Sequence, residues 1–248
     1  MPGAPNIINM AMISFRRFIR EGVYDPSIFK AIFLAGGPGA GKSYVAGKTT
    51  SGLGLKLVNS DAALEKLLKK HNVPMDFAAM SPDETEKKDV LRKRAKEITF
   101  GRIKVKEFKG KGALDLYIHG RLGLIVDGTG REFEDIKRQA DMLRQMGYDT
   151  YMIFVNTSEQ VAQQRNADRP RKLDSSMVTK YWRAVQTNMG KFQSYFRAKN
   201  FVVIDNNDAG EDVFRNITKR VSKLVKEPPT SHIAKQWIAV ELQKKRKK

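Results

Sequence analysis

The segment Gly36-Gly37-Pro38-Gly39-Ala40-Gly41-Lys42-Ser43 gives the clearest fold signal in the chain. Its spacing, G-x-x-x-x-G-K-S, is typical of loops that bind nucleotide phosphates. Glycine lets the backbone wrap closely around an anion because it has no Cβ atom. The apolar residues 31–35 predict a strand before the loop, and residues 42–51 predict a helix after it. This context predicts a site for a nucleoside triphosphate and Mg²⁺, because the helix N-terminus adds partial positive charge.

The positions of this loop have distinct expected roles. Lys42 is expected to reach the β- and γ-phosphates, and the Ser43 hydroxyl is expected to bind Mg²⁺. The residues predicted to contact ATP are Gly36, Gly37, Pro38, Gly39, Ala40, Gly41, Lys42, Ser43 and Tyr44.

Short apolar segments alternate with helical segments along the rest of the chain. Further strands are predicted at 55–58, 124–126, 151–155 and 201–204. Helices are predicted at 62–70, 132–146, 158–166, 174–197 and 212–225. Apolar strands joined by helices are typical of parallel strands that are buried on both faces. The pattern therefore predicts an α/β, three-layer P-loop NTPase fold with about five parallel strands and helices on both faces.

The predicted domain, residues 31–226, has two extensions and one insertion. Residues 1–30 form a basic amphipathic extension, and residues 227–248 form a basic C-terminal tail. Residues 73–121 interrupt the strand–helix alternation as a charged, mostly helical insertion. Within it, Ser81-Pro82-Asp83-Glu84 predicts a helix start with a capping box.

Carboxylates follow two of the predicted strands. Asp61 follows the strand at 55–58, and Asp127 directly follows the strand at 124–126. The carboxyl ends of the strands in such a sheet face the ligand. Asp61 is therefore expected to accept a proton from an attacking hydroxyl, and Asp127 to hold Mg²⁺. The alternative for each carboxylate is to cap the helix that follows it.

Other candidate site residues lie in the turn after Asp127 and at the end of the helix at 158–166. Thr129 and Arg131 are candidate substrate contacts, with helix capping as the alternative for Thr129. Arg165, Arg169 and Arg171 predict a mobile lid at about 165–173, because guanidinium groups match the charge on transferring phosphoryl oxygens. A solvated run of charge is the alternative for the lid. Asp205-Asn206-Asn207 predicts either an adenine edge or a plain turn.

Together these motifs resemble the zeta-toxin and polynucleotide-kinase branch of P-loop kinases. The similar segments are GGPGAGKS, NSD, LIVDGTGRE, MLRQMGYDTYMIFVNTSEQVAQQRN and the arginine lid. The resemblance covers roughly residues 31–225, apart from the insertion at 73–121. It implies a kinase-like fold, with site roles for Lys42, Asp61, Asp127, Thr129, Arg165 and Arg171.

The lid segment QQRNADRPRKLDSSMVTKYW is also similar to the lid of polynucleotide 5′-kinases, which have R-N-x-x-R before a helix. That similarity implies roles for Arg165 and Arg169. Polynucleotide kinases place an arginine shortly after the base aspartate, whereas this chain has Asp61-Ala62-Ala63-Leu64. The departure favours a small-molecule acceptor, unless a cation of the insertion replaces that arginine. The compact basic character also resembles phage-encoded proteins.

The composition excludes several classes of site and points to anionic partners. Lysine and arginine total 46 against 27 aspartate and glutamate, a net charge of +19, which favours nucleic acid as a partner. The absence of cysteine excludes disulfides and cysteine-ligated zinc and fits a cytoplasmic location. The three histidines show no metal-ligand spacing. No apolar run approaches the ~20 residues of a membrane span.

The predicted function is an ATP-dependent kinase that transfers the γ-phosphoryl group to a hydroxyl acceptor. A nucleotide sugar or another small molecule is the leading acceptor, and a polynucleotide 5′-hydroxyl is the alternative. A third interpretation is a nucleic-acid-binding protein with a regulatory ATP site. Much of the positive charge falls in the lid with its following helix, the insertion and the last eight residues. Contacts with polyanions are therefore expected from the insertion and the tail.

Overall fold

The computed structural model describes residues 23–50, 52–101, 109–169, 172–208 and 210–246. The predicted N-terminal extension up to residue 22 and the lid residue Arg171 lie outside these ranges. The strands are β1 (Lys30–Ala35), β2 (Lys56–Val58), β3 (Leu124–Asp127), β4 (Asp149–Asn156) and β5 (Phe201–Asp205). The helices are α1 (Lys42–Thr50), α2 (Ser60–Lys70), α3 (Pro82–Phe100), α4 (Ala113–His119), α5 (Phe133–Gln145), α6 (Glu159–Ala167), α7 (Ser175–Asn200), α8 (Glu211–Lys226) and α9 (His232–Arg246).

The five strands form one parallel sheet in the order β2-β3-β1-β4-β5. Every residue of the central strand β1 is buried. Its side chains alternate between the two faces, so that Phe33 packs on one face while Ile32 and Leu34 pack on the other. Helices α4, α5, α7 and α9 cover the first face, and α1 and α8 cover the second. The predicted three-layer, kinase-like P-loop fold is confirmed.

The first part of the insertion packs with α2, the helix before it, to form a small separate core. Leu64 and Leu68 of α2 pack with Val73 and with Ala95 of α3, apart from the two large clusters on the sheet. The predicted capping box is present at the start of α3, where the Glu84 amide donates to Ser81 Oγ and the Ser81 amide donates to Glu84 Oε2. Because α2 follows β2 directly, residues 60–100 begin at the carboxyl edge of the sheet.

Helix α9 is packed onto the opposite, amino edge of the sheet. Ala234 is fully buried, and the ring of Trp237 meets the ring of Phe29 edge-on at 5.6 Å. The segment just before α9 is also attached, because the Thr230 amide donates to the Asp149 carboxylate. Much of the basic C-terminal segment is therefore an integral part of the described structure. No helix among the described residues is both long enough and apolar enough to cross a membrane.

Candidate active site

The phosphate-binding loop has a backbone shape that only glycine tolerates at two positions. Gly39 and Gly41 have φ angles of +71° and +82°, in the left-handed region. A Cβ atom on Gly39 would lie 2.5 Å from the carbonyl oxygen of Ala162. Lys42 begins α1, and its Nζ donates to the carbonyl oxygen of Gly36 at 2.9 Å. The ammonium group and the N-terminus of α1 thus lie at one loop, an arrangement that fits a triphosphate.

Asp127 is the centre of a group of charged side chains from four elements. It ends β3, beside β1, and it accepts a hydrogen bond of 2.8 Å from Asn59 Nδ2. Burial raises the pKa of the Asp127 carboxyl. The charge of Asp61 raises this pKa further, whereas the charges of Lys42 and Arg169 lower it. The fold therefore brings into electrostatic contact four residues that the sequence predicts for the site.

Asn59, and not Asp61, caps the helix that follows β2. Asn59 Oδ1 accepts a hydrogen bond of 2.7 Å from the Asp61 amide, and α2 begins at Ser60. The alternative that Asp61 is a helix cap is therefore wrong, and so is the predicted helix start at residue 62. The side chain of Asp61 lies exposed in the first turn of α2, at the carboxyl end of β2.

The turn after β3 is held between the phosphate-binding loop and α7. The Gly36 amide donates to the Thr129 carbonyl at 3.2 Å. Asn188 Nδ2 donates to the Gly130 carbonyl at 3.1 Å. The next helix, α5, has Glu132 at its N-cap position, so capping is the wrong alternative for both Asp127 and Thr129. The Thr129 side chain is exposed, which leaves it open to a ligand.

Arg131 lies at the same turn and is held by an aromatic ring. Its guanidinium carbon is 4.3 Å from the centre of the Tyr181 ring, within the range of a cation–π contact. Its Nε also pairs with the Glu132 carboxylate at 3.2 Å. The sequence predicts a substrate contact for Arg131, and the structure places it beside Thr129, at the end of β3.

The two described lid arginines lie at different parts of the site. Arg165 donates from Nη1 to the Asn206 carbonyl at 2.8 Å and from Nη2 to the Asn207 carbonyl at 3.1 Å. It lines a pocket of about 370 Å³ whose walls are Gly41, Tyr44, Arg165, Asn206, Asn207 and Asp208. Arg169 lies just beyond the end of α6, after its C-cap residue Asp168, and acts electrostatically on Asp127. Arg165 is therefore suited to the base end of a nucleotide and Arg169 to its phosphates.

The lid segment is fastened at its base by one asparagine. Asn166 is buried; its Nδ2 donates to the Leu173 carbonyl at 2.8 Å, and its Oδ1 accepts from the Leu173 amide at 3.1 Å. These two bonds close the loop that contains Arg169, so the ends of the lid are fixed while the Arg169 side chain is exposed.

Sequence reasoning missed a set of linking side chains around the site. The sequence predicts Asn206 only as part of an adenine edge or a turn, but its Nδ2 donates to the Ala40 carbonyl at 2.8 Å and so ties the end of β5 to the phosphate-binding loop. Trp182 of α7 packs against the same loop. If Gly37 carried a Cβ atom, that atom would lie 3.4 Å from the Trp182 ring carbon Cδ1. Asparagine in the NSD and RNADR segments was a usable signal, since amides often end strands and helices. Nothing in the local sequence marks Asn188 or Trp182.

Ser43 and Asp127 have the chemistry that Mg²⁺ requires. Mg²⁺ is usually held by one or two carboxylates, by substrate phosphates and by several waters. A hydroxyl and a carboxylate beside a phosphate-binding loop fit that pattern. Among the residues that the structure describes, no group of three or more histidine, aspartate or glutamate side chains forms a larger metal cluster.

Comparison with known families agrees with this geometry. The sequence profile of a family described as "AAA domain" matches residues 32–192, well over half of the chain. The chain belongs to this AAA domain family. The matched part of the AAA domain includes the phosphate-binding loop, both carboxylates and the lid arginines. No curated protein sequence matches the chain.

Two solved structures are similar to this AAA domain in fold. One comes from the PezAT chromosomal toxin–antitoxin system of Streptococcus pneumoniae, with a TM-score of 0.52 and 13% identity over 90% of this chain and 97% of that one. The other is a putative kinase from Chloroflexus aurantiacus, with a TM-score of 0.50 and 13% identity over 79% of this chain and 96% of that one. At such identities the likeness establishes the fold.

Proposed function

We propose that the protein is an ATP-dependent kinase that transfers the γ-phosphoryl group of ATP to a hydroxyl acceptor. The observation that supports this best is the group of charges around Asp127. A cation from the phosphate-binding loop, a cation from the lid and the carboxylate of Asp61 all act on the charge of Asp127 there. Phosphoryl transfer needs cations for the transferring group and a carboxylate for the attacking hydroxyl.

The proposed ATP site follows the elements that surround the loop. The backbone amides of the loop and Lys42 hold the phosphates, and the pocket beside Tyr44 and Arg165 takes the base. Ser43 and Asp127 would hold Mg²⁺, which neutralises charge on the phosphates when it is bound. The raised pKa of Asp127 fits this role, because a nearby dication favours the ionised form that burial disfavours.

Asp61 is the proposed base. Its carboxylate accepts the proton of the acceptor hydroxyl while the acceptor oxygen forms a bond to the γ-phosphorus. The bond between the γ-phosphorus and the β–γ bridging oxygen breaks, and ADP leaves with the electron pair. Arg169 offsets the charge on the transferring phosphoryl oxygens. Asp61 then releases its proton to solvent.

A small molecule, such as a nucleotide sugar, is the proposed acceptor. The first turn of α2 presents Ala62 beside Asp61, so this turn offers no cation for the phosphate of a polynucleotide end. The net charge of +19 supports the second candidate, a polynucleotide 5′-hydroxyl kinase.

Transfer of labelled γ-phosphate to a panel of acceptors tests these assignments. The panel contains UDP-N-acetyl sugars, nucleoside monophosphates, and DNA and RNA with 5′-hydroxyl ends. We expect Lys42→Ala and Asp61→Asn each to lower the transfer rate by roughly 10²- to 10⁴-fold. Asp83→Asn is the matched control, because Asp83 is also an exposed carboxylate in the first turn of a helix.

Each main outcome of the panel has a clear meaning. If Asp61→Asn transferred phosphate at the wild-type rate, the assignment of Asp61 as the base would be wrong. Tight ATP binding without transfer to any acceptor would instead favour a regulatory ATP site. Transfer to 5′-hydroxyl ends alone would select the polynucleotide kinase.

A further inference from the structure

A second concentration of positive charge lies away from the candidate active site. Residues 191–204 and 213–226 together contain eight lysines and arginines and no aspartate or glutamate. All eight of these cations are exposed. We call the exposed face formed by these two segments the cationic surface.

The two segments are joined in space. Arg220 of α8 donates from Nη2 to the carbonyl oxygens of Ala198 at 3.2 Å and Phe201 at 3.4 Å. This places the middle of α8 against the end of α7 and the start of β5. The apolar side of α8, which includes Ile217 and Val221, is buried against the sheet. The basic side of α8 must therefore face outward beside the last turn of α7.

One cation of this surface, Arg215, is paired within the described part of the chain, whereas the lysines along α8 are not. Arg215 pairs with Asp212 at 3.2 Å near the start of α8. Lys219, Lys223 and Lys226 have no ion-pair partner among the described residues. The free cations thus run along α8 away from its acidic first turn.

The position of the cationic surface separates it from the chemistry of the proposed kinase. The sequence groups Lys199 with the lid and the helix that follows it. Helix α7 runs about 32 Å from Ser175 to Phe196, at 1.5 Å per residue, and Lys199 lies just beyond a kink at Arg197. Strand β5 is also the edge strand opposite β2, about 19 Å away at the usual spacing of four strand intervals. A polymer held here would not present its end to Asp61 directly.

We propose that the cationic surface binds the phosphate backbone of a nucleic acid, independently of phosphoryl transfer. Along α8, Lys219, Lys223 and Lys226 span about 10 Å, a length that faces about three phosphates of one strand of a duplex. Contacts of lysine with phosphate are independent of base sequence. An anionic membrane fits less well, because the apolar side of α8 is turned into the core and cannot insert between lipids.

Binding of a fluorescent duplex of about 20 base pairs at several salt concentrations tests the proposal. The test variant is Lys219→Gln with Lys223→Gln and Lys226→Gln. The control is Lys87→Gln with Lys93→Gln and Lys111→Gln, which removes the same charge from exposed positions of the insertion. We expect the test variant to bind at least tenfold more weakly and to reduce the salt slope by about two to three. The control should stay within about twofold of the wild type.

A variant that keeps the positive charge at these three positions distinguishes a loss of charge from a loss of folding. Replacing the same three α8 lysines by arginine should retain binding within about threefold, because the positive charge is kept. Equal losses in the test and control variants would overturn the proposal in favour of diffuse net charge. A loss of binding in the control variant alone would also overturn the proposal, because it would place the nucleic-acid site on the insertion. Binding to vesicles with anionic lipid, without binding to the duplex, would also overturn it.

Discussion

The charged side chains at the two edges of the sheet differ in their partners. At the amino edge, the fully buried Lys30 donates to Asp149 Oδ2 at 2.8 Å, and Asp149 also accepts from the Thr230 amide at 3.1 Å. At the carboxyl edge, Asp127 is only partly buried, and Asn59 supplies its hydrogen bond of 2.8 Å. Burial raises the pKa of Asp127 there.

This difference in partners suggests that the amino edge serves mainly the stability of the fold and the carboxyl edge mainly ligand binding. The amino-edge ion pair is completed by groups of the protein itself, so it fastens β1, β4 and the start of α9 together. At the carboxyl edge, burial disfavours the ionised form of Asp127 even though the charges of Lys42 and Arg169 favour it. Clusters of this kind are common where a ligand supplies the compensating charge. We expect changes at the first edge to alter unfolding, and changes at the second to alter binding and rate.

The largest expected effect on stability follows from removing one partner of the buried pair. Asp149→Ala leaves the Lys30 ammonium buried without its counter-ion, and we expect a loss of about 3 to 5 kcal/mol in the free energy of unfolding. Urea denaturation measures this loss. The double variant Lys30→Met with Asp149→Leu should lose much less, because no charge is left unpaired. A similar loss in both variants would mean that the pair is not the cause.

The second effect concerns the shape of the phosphate-binding loop. In Gly39→Ala the new Cβ would lie 2.5 Å from a backbone oxygen, at a φ of +71°. We expect ADP to bind roughly 10- to 100-fold more weakly, about 1.4 to 2.8 kcal/mol. Calorimetric titration with ADP measures it. Gly47→Ala is the matched control, because a Cβ there meets nothing within 4 Å and alanine favours the helix. Equal affinities in the two variants would contradict the role of the Gly39 backbone.

The third prediction separates the roles of the two hydrogen bonds of the Asn59 side chain, one that caps α2 and one that reaches Asp127. Asn59→Ala removes both the helix cap and the bond to Asp127, and we expect a loss of about 1 kcal/mol in stability. Asn59→Ser keeps a capping oxygen but loses the amide donor that reaches Asp127. Its stability should stay near that of the wild type while the transfer rate falls. Full activity of Asn59→Ser, measured beside its thermal unfolding, would show that only the cap matters.

The smallest expected effect is a gain in stability from Asp127→Asn. The neutral amide avoids the cost of burying a charge, and we expect about 0.5 kcal/mol at neutral pH without nucleotide or metal. The pKa of Asp127 is raised in the folded state, so the wild type loses stability as the pH rises above the unfolded value of about 3.9.

The sign of this effect can be checked by thermal unfolding at several pH values. The gain from Asp127→Asn should vanish at about pH 3.5, grow as the pH rises above the unfolded pKa of about 3.9, and level off once the folded carboxyl of Asp127 is ionised. Asp83→Asn, at an exposed position, should show no such growth. A gain that is constant with pH would contradict the assigned cause.

Much of the site could be predicted because its signals are local. The glycines of residues 36–41 predict a loop that wraps an anion, since the left-handed backbone found at Gly39 and Gly41 strains other residues. Apolar strands with Asp61 and Asp127 at or shortly after their ends predict that these carboxylates meet at one edge of the sheet, because parallel strands point the same way.

The division of labour among the cations could not be predicted in the same way. Arg165 and Arg169 are neighbours in the chain, yet one lines the pocket beside Tyr44 and the other acts on Asp127. The sequence also counts Lys199 together with the lid and its following helix, whereas in the structure Lys199 lies at the far end of α7, on the cationic surface.

The sequence by itself determined the parallel α/β fold, the phosphate-binding loop and the strand ends that bear Asp61 and Asp127. Those features depend on the backbone preferences and periodicity of neighbouring residues. Only the tertiary structure decided that Asn59 contacts Asp127, that Lys30 is buried against Asp149, and that α8 adjoins the end of α7. Each of these pairs is far apart in the chain, and the crossovers of a parallel sheet bring such residues together.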